Sequence, residues 1–266
     1  MNPSLFFFVL KRHRIATVLL FIVPVIVGVF TGVFFPENQK DRELLGQVAK
    51  MFRKALDEEM ILDVVTPAGF FNVAFQHPLT ILALIFAGAI PLLSLPAGDR
   101  GRGTLDLLLA TPLTRGRLLM SSTLAGAVAT LFVGFAPLVG VSMGARLAGV
   151  SDQVPLDYFF KTSINLVALG WWFTATAAIV SVLAPDGPSA MRRFGICTFL
   201  AFSIQVAGQL WKGRTWIRSF GPFGWYRPSL VTAGKGSPLA DAGVLVAVAV
   251  IFLVIAYVAG SRRRRA

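Results

Sequence analysis

The chain has one cysteine, Cys197, so it has neither a disulfide framework nor a thiolate metal site. Charge is scarce as well: 14% of the 266 residues are charged against 55% hydrophobic, and the mean hydropathy of +0.72 lies outside the range of a water-soluble domain. Charge is also missing from particular places. No long apolar block carries Asp, Glu, Lys or Arg in its middle. Transport driven by protons or sodium needs an ionisable group there, and this excludes it. His77, at the outer end of the second block beside Pro78, reads as a hydrogen-bonded structural residue rather than a proton relay. Catalytic patterns are missing too, with no His-Glu-x-x-His, no Gly-x-Ser-x-Gly with a partner histidine and no intramembrane aspartate pair. A phosphate-cradling loop is equally absent. Gly234-Lys235 is followed by Gly236 where Ser or Thr is required, and Ser229 stands where the first glycine belongs. The chain is not expected to be an enzyme, to bind a cofactor or metal, or to hydrolyse ATP by itself.

What is present is apolar sequence in runs long enough to cross a bilayer, whose hydrocarbon core takes about 20 residues of helix. Six spans are expected, at about 15–35, 70–95, 118–145, 162–184, 194–210 and 243–260. Strands of a membrane barrel would alternate polar and apolar residues, whereas 79–96 and 244–258 are apolar on every side. The first block is too long for a cleavable signal peptide and reads as a retained span. Pro24, Pro91 and Pro137 fall inside spans and are expected to kink rather than end them. The pairs Gly28/Gly32 and Gly140/Gly144 suit close helix packing, within or between protomers. The expected fold is an all-α integral membrane domain, a six-transmembrane-helix bundle with interfacial amphipathic helices, occupying residues 1–266 as one unit.

The connections carry the remaining information. Thirteen of the 25 Lys and Arg residues fall on the side of the amino terminus, clustered against span ends at Lys11, Arg12, Arg14, Arg115, Arg117, Arg192, Arg193 and Arg262 to Arg265. That clustering places both termini in the cytoplasm. In the external segment 38–64, Leu44, Val48, Phe52, Leu56 and Met60 recur at four-residue steps, the pattern of an amphipathic helix on the membrane surface. A second interfacial helix is expected at 2–10, with Phe6, Phe7 and Phe8 in the headgroup boundary. The external segment 211–241 interleaves Trp211, Trp216, Phe220, Phe223, Trp225 and Tyr226 with Lys212, Arg214, Arg218 and Arg227. Beside a span this mixture reads as an aromatic belt with anchoring cations, not as a nucleic-acid surface. Gln205 and Gln209 are the most conspicuous polar pair within a span, read as interhelical hydrogen-bonding groups.

The cytoplasmic connection 97–117 is the least generic stretch. Gly98, Gly101 and Gly103 release the chain from the bilayer, and Thr104 is placed to cap a short helix through Ala110. Thr111 and Pro112 then read as cap and first residue of the helix that becomes the third span. Leu105, Leu107, Leu108 and Leu109 are too apolar for a solvated loop and require burial in headgroups, in the bundle or in a partner. The string from Asp99 to Arg115, with Gly103-Thr104-Leu105-Asp106, the leucines, Ala110, Thr111-Pro112 and a closing basic residue, resembles the segment after the second span of type-2 ATP-binding-cassette transporter permeases. Asp99 stands alone where members of that family often carry two acids.

The resemblance implies the permease subunit of an ATP-driven exporter in the plasma or bacterial inner membrane, working as a homo- or heterodimer. It also implies that Asp99, Gly103, Thr104, Leu105, Asp106, Leu108, Leu109, Thr111, Pro112 and Arg115 form a coupling helix and its flanks. These dock on a separate ATPase subunit that binds ATP and Mg. The competing reading is a membrane scaffold or assembly factor that moves nothing.

Overall fold

The computed structural model describes residues 3–35, 66–98, 114–210, 215–232 and 234–262, together with Leu44 and Gln47. Within them the chain is helical, with no strand. The elements are α1 (Pro3–Val33), α2 (Pro67–Phe71), α3 (Val73–Gln76), α4 (Pro78–Leu92), α5 (Arg115–Leu147), α6 (Leu156–Leu183), α7 (Gly187–Leu210), α8 (Pro228–Thr232) and α9 (Pro238–Arg262). Short 3₁₀ turns cover 151–153, 215–220 and 222–225.

Five helices among the described residues, α1, α4, α5, α6 and α9, are long and apolar enough to cross a membrane. The block at 194–210 lies in α7, a helix of 24 residues. Arg192, Arg193, Ser203, Gln205 and Gln209 dilute its hydropathy below that of the other five. The faces that the long helices leave uncovered explain the composition. Ile15, Val18, Leu19, Ile22, Ile26 and Phe30 are exposed along α1, and Val250, Ile251, Val254 and Ile255 along α9. Apolar surface that continuous belongs against lipid, not water.

The helix ends follow local chemistry. The expected interfacial helix at 2–10 is continuous with the first span, because no proline or glycine interrupts Ser4 to Val23. Leu5 and Val9 of that first stretch are buried, Val9 against Leu95 and Ala125, while Phe7 and Phe8 point outward. The second span begins at Pro78 rather than Phe70. His77 adopts extended backbone, as a residue before proline prefers, and its Nδ1 accepts from the Leu79 N–H at 3.3 Å. His77 is thus a helix cap, a structural role. α1 and α5 run on through Pro24 and Pro137. α4 passes through Pro91 and then widens into one π-helical stretch at Leu93–Ala97. A widened turn of this kind accommodates the i−4 carbonyl that a proline leaves without its donor.

α6 is the central helix. Leu166, Leu169 and Phe173 on it are fully buried, and it packs on α4, α5 and α9. Its hydroxyls return to their own helix, as Thr174 Oγ1 donates to Gly170 O at 2.8 Å and Ser163 Oγ to Phe159 O at 3.0 Å. α1 lies along α5 through the glycine pairs foreseen in the sequence, and the contact forms within one chain. A Cβ on Gly28 would stand 2.7 Å from the Gly140 carbonyl carbon, and one on Gly144 would stand 2.7 Å from Gly28 O. Only glycine allows these backbones so close, and dispersion between them replaces the hydrophobic effect that lipid does not supply between helices.

Gly140→Leu is therefore expected to force α1 off α5 and cost about 1–3 kcal/mol or more. Gly243→Ala, where an added Cβ meets nothing within 4 Å, should be neutral or slightly stabilising. Thermal unfolding in mild detergent followed by circular dichroism checks the contrast. Equal melting temperatures for the two variants would contradict this packing.

Candidate functional site

Of the residues singled out for partner docking, Asp99, Gly103, Thr104, Leu105, Asp106, Leu108, Leu109, Thr111 and Pro112 lie outside the described residues; Arg115 lies within them. So does the external segment 38–64, apart from Leu44 and Gln47. The two ends from which the docking segment departs are described. α4 finishes at Gly98, whose Cα stands 3.0 Å from where a Cβ on Gly187 would lie. α5 opens at Arg115 under Thr114, whose Oγ1 accepts from the Arg117 N–H at 3.3 Å. The cap of the third span is thus Thr114, where the sequence pointed to Thr111. Both threonines precede helix-compatible residues, and only the hydrogen bond distinguishes them.

Arg115 is exposed, and so are Lys11, Arg14, Arg117, Arg192 and Arg193. They stand around the same end of the bundle, since Leu95 meets Val9, and Gly116 faces Tyr257 near the end of α9. Asp186 lies in the turn before α7 and accepts from the Ser189 N–H at 2.7 Å. That bond, with help from Arg192 and Arg193, holds its carboxyl below the usual carboxylate range. This end is therefore strongly cationic, with the docking segment issuing from its middle.

The opposite end is built from α2, α3, the 215–225 turns, α8 and the start of α9. Asn165 of α6 donates from Nδ2 to Trp225 O at 3.2 Å and to Pro238 O at 3.0 Å. Tyr226 Oη donates to Phe75 O at 2.8 Å. Arg227 Nη2 lies 3.2 Å from Asp241 Oδ1, and Asp241, 7% exposed, sits in the first turn of α9 where a carboxylate is favoured. Arg218 is buried at 6% exposure. These bonds fold the 215–232 segment back onto the bundle instead of leaving it as a belt of surface anchors.

They also frame a cavity. α7 packs on α6, on the π-helical end of α4 and on the 215–225 turns, but its middle stands off α4. The gap is a cavity of about 520 Å³ lined by Ile81, Ile85 and Phe86 of α4, by Phe194, Gly195, Thr198, Phe199 and Phe202 of α7, and by Phe223. Gln76, Pro78, Ile81 and Phe202 also line a second cavity of about 270 Å³, whose other walls include Gln205, Arg218, Tyr226, Arg227 and Ser229. The two form one space, apolar between the helices and polar at the 215–232 end. Gln205 was conspicuous in the sequence; Gln76 was not, because it sits in a short apolar stretch that only the His77-Pro78 break marks off from the span.

Apolar helices around a buried core, with lipid-facing surfaces on both outer helices, define a multi-pass membrane protein. A family model described as ABC-2 family transporter protein matches residues 8–264, nearly the whole length. The chain belongs to the ABC-2 transporter family and is a membrane permease component of an ABC transporter. No curated protein matches it with significance.

Proposed function

We propose that this chain is the transmembrane subunit of an ATP-driven exporter, coupling a separate ATPase to substrate translocation. The observation that carries the reading is the family match across 8–264, joined to a sequence whose spans hold no group for ion coupling and no loop for nucleotide. In this reading α7 is the fifth of six spans, both termini and the cationic end face the cytoplasm, and two protomers act together. The helix at about 104–110 inserts Leu105, Leu108 and Leu109 into a groove of the ATPase, with Asp99, Gly103, Thr104, Asp106, Thr111, Pro112 and Arg115 shaping its flanks. ATP and Mg are bound by that partner. Closure of two ATPase subunits then pushes on the coupling helices and moves the bundle between inward-open and outward-open arrangements. The permease needs only contacts that differ between the two states.

The orientation is checked by single cysteines in a Cys197→Ser background. Gln47→Cys and Gly236→Cys should react with an impermeant maleimide in intact cells, and Gly101→Cys should not. Reaction at position 101 would invert the topology.

The coupling helix is checked by Leu108→Asp. Loss of a buried leucine forfeits about 1.5–3 kcal/mol, and the carboxylate must be desolvated besides, so ATPase affinity should fall about tenfold or more. Co-purification of the ATPase and transport should fail together, while helix content and elution position in detergent persist. Full retention of the ATPase would remove this helix from the coupling role.

A further inference from the structure

We propose that the joined cavity between α4 and α7 binds an anionic amphiphile of the lipid class, its chain lying between the helices and its headgroup at the 215–232 end. The inference rests on the permease reading and specifies the class of cargo the permease presents. The volume of the apolar part, about 520 Å³, falls within the range of about 300–1,000 Å³ found for small-molecule sites. Along its length the walls are aliphatic and aromatic, and Thr198 supplies the one hydroxyl among the lining residues. A hydrocarbon chain fits such a slot, and a polar solute would lose its hydration there without replacement.

The other end has the opposite character. The amide nitrogen of Gln76, the amide oxygen of Gln205 and Nε of Arg227 are buried there without a hydrogen-bond partner. Buried polar groups are ordinarily paired, and three unpaired ones converging on one space are waiting for a ligand's atoms. Arg218 and Arg227 line this end, and no carboxylate is among its lining residues. The one acid nearby, Asp241, is engaged by Arg227 through Nη2, which leaves Nε directed elsewhere. A donor-rich, cationic end beside an apolar slot is complementary to a phosphate or carboxylate carried on a hydrocarbon chain.

The test uses the purified chain in detergent micelles, with photoreactive phosphatidylglycerol and photoreactive phosphatidylcholine of identical acyl chains as probes. Phosphatidylglycerol should label residues of α4 and α7, with about a tenfold preference over phosphatidylcholine, the factor expected from charge-assisted hydrogen bonds to one headgroup. Gly195→Phe places its ring in the slot without backbone conflict, since a Cβ there meets nothing within 4 Å. It should reduce labelling about tenfold while leaving elution position and ATPase co-purification unchanged. The double change Arg227→Gln with Asp241→Asn, which avoids stranding a buried carboxylate, should abolish the preference between the two lipids.

Equal labelling by both lipids in the unaltered chain overturns the proposal. So does labelling confined to the outer faces of α1 and α9, which would mark surrounding bilayer lipid. Loss of chain-to-chain crosslinks in Gly195→Phe would mean that a second copy fills the gap, and the proposal would fall. If the site labels as expected but no ATPase accompanies the chain, the transport reading fails and the binding site stands. If the ATPase is retained but labelling is indifferent to Gly195→Phe, the site fails and the transport reading stands.

Discussion

A bilayer core offers no hydrogen bonds, and the rest of this structure depends on that constraint. Each backbone amide within a span must be satisfied by its own helix, and each side-chain hydroxyl or amide must find a partner inside the protein. Thr130, Ser163 and Thr174 return their protons to carbonyls one turn back. Trp171 Nε1 reaches across to Ala127 O on α5 at 3.1 Å, and Asn165 ties α6 to the segment before α9. With polar groups spent locally, cohesion between helices falls to close packing. This is why glycine faces glycine between α1 and α5, and why Gly170 of α6 leaves no more than 3.0 Å between an added Cβ and Leu84 or Thr130. The places where the rule is relaxed then stand out, and they gather between α4 and α7.

How much of this was legible in the sequence depends on how local the cause is. A span is written in a continuous run of apolar residues, so α1, α5, α6 and α9 could be placed by reading alone. The start of α4 could not, because Phe70, Phe71 and Phe75 are as apolar as the span they precede. The break is set by Asn72 and by the conformation that Pro78 imposes on His77. The first ten residues suggested a separate surface helix because Lys11, Arg12 and Arg14 interrupt their hydrophobicity. Charge alone does not end a helix, and α1 continues through them. Thr111 and Thr114 were equivalent as caps until a hydrogen bond distinguished them.

The cavity lay beyond sequence reading for a different reason. Its polar wall is assembled from Gln76, Gln205, Arg218 and Arg227, which belong to three separate stretches of chain. Its existence depends on α7 leaning on α6 rather than on α4. Arg218 and Arg227 looked like anchors in the headgroup layer because a cation beside aromatics usually is one. What moves them inward is the folding of the 215–232 segment onto the bundle by Asn165, Tyr226 and Asp241, contacts made across large separations in sequence. The family, by contrast, was legible from one short string, since the residues from Asp99 to Arg115 combine turn, cap and apolar requirements that few other segments share.

The absences that opened the sequence analysis bear on mechanism. A permease with no ionisable group in mid-span and no nucleotide loop can change conformation only through work delivered from outside the bundle, and its cytoplasmic end is where that work would enter. The central claim is that a separate ATPase drives the motion. It is tested most directly by the distance between spin labels on Arg117→Cys and Arg192→Cys, in a Cys197→Ser background, measured by pulsed electron paramagnetic resonance in reconstituted membranes. The distance distribution should change on trapping with ATP and vanadate when the ATPase is present, and should be unaltered by nucleotide when the chain is alone. A nucleotide-dependent change in the isolated chain, or none with the ATPase bound, would contradict the account.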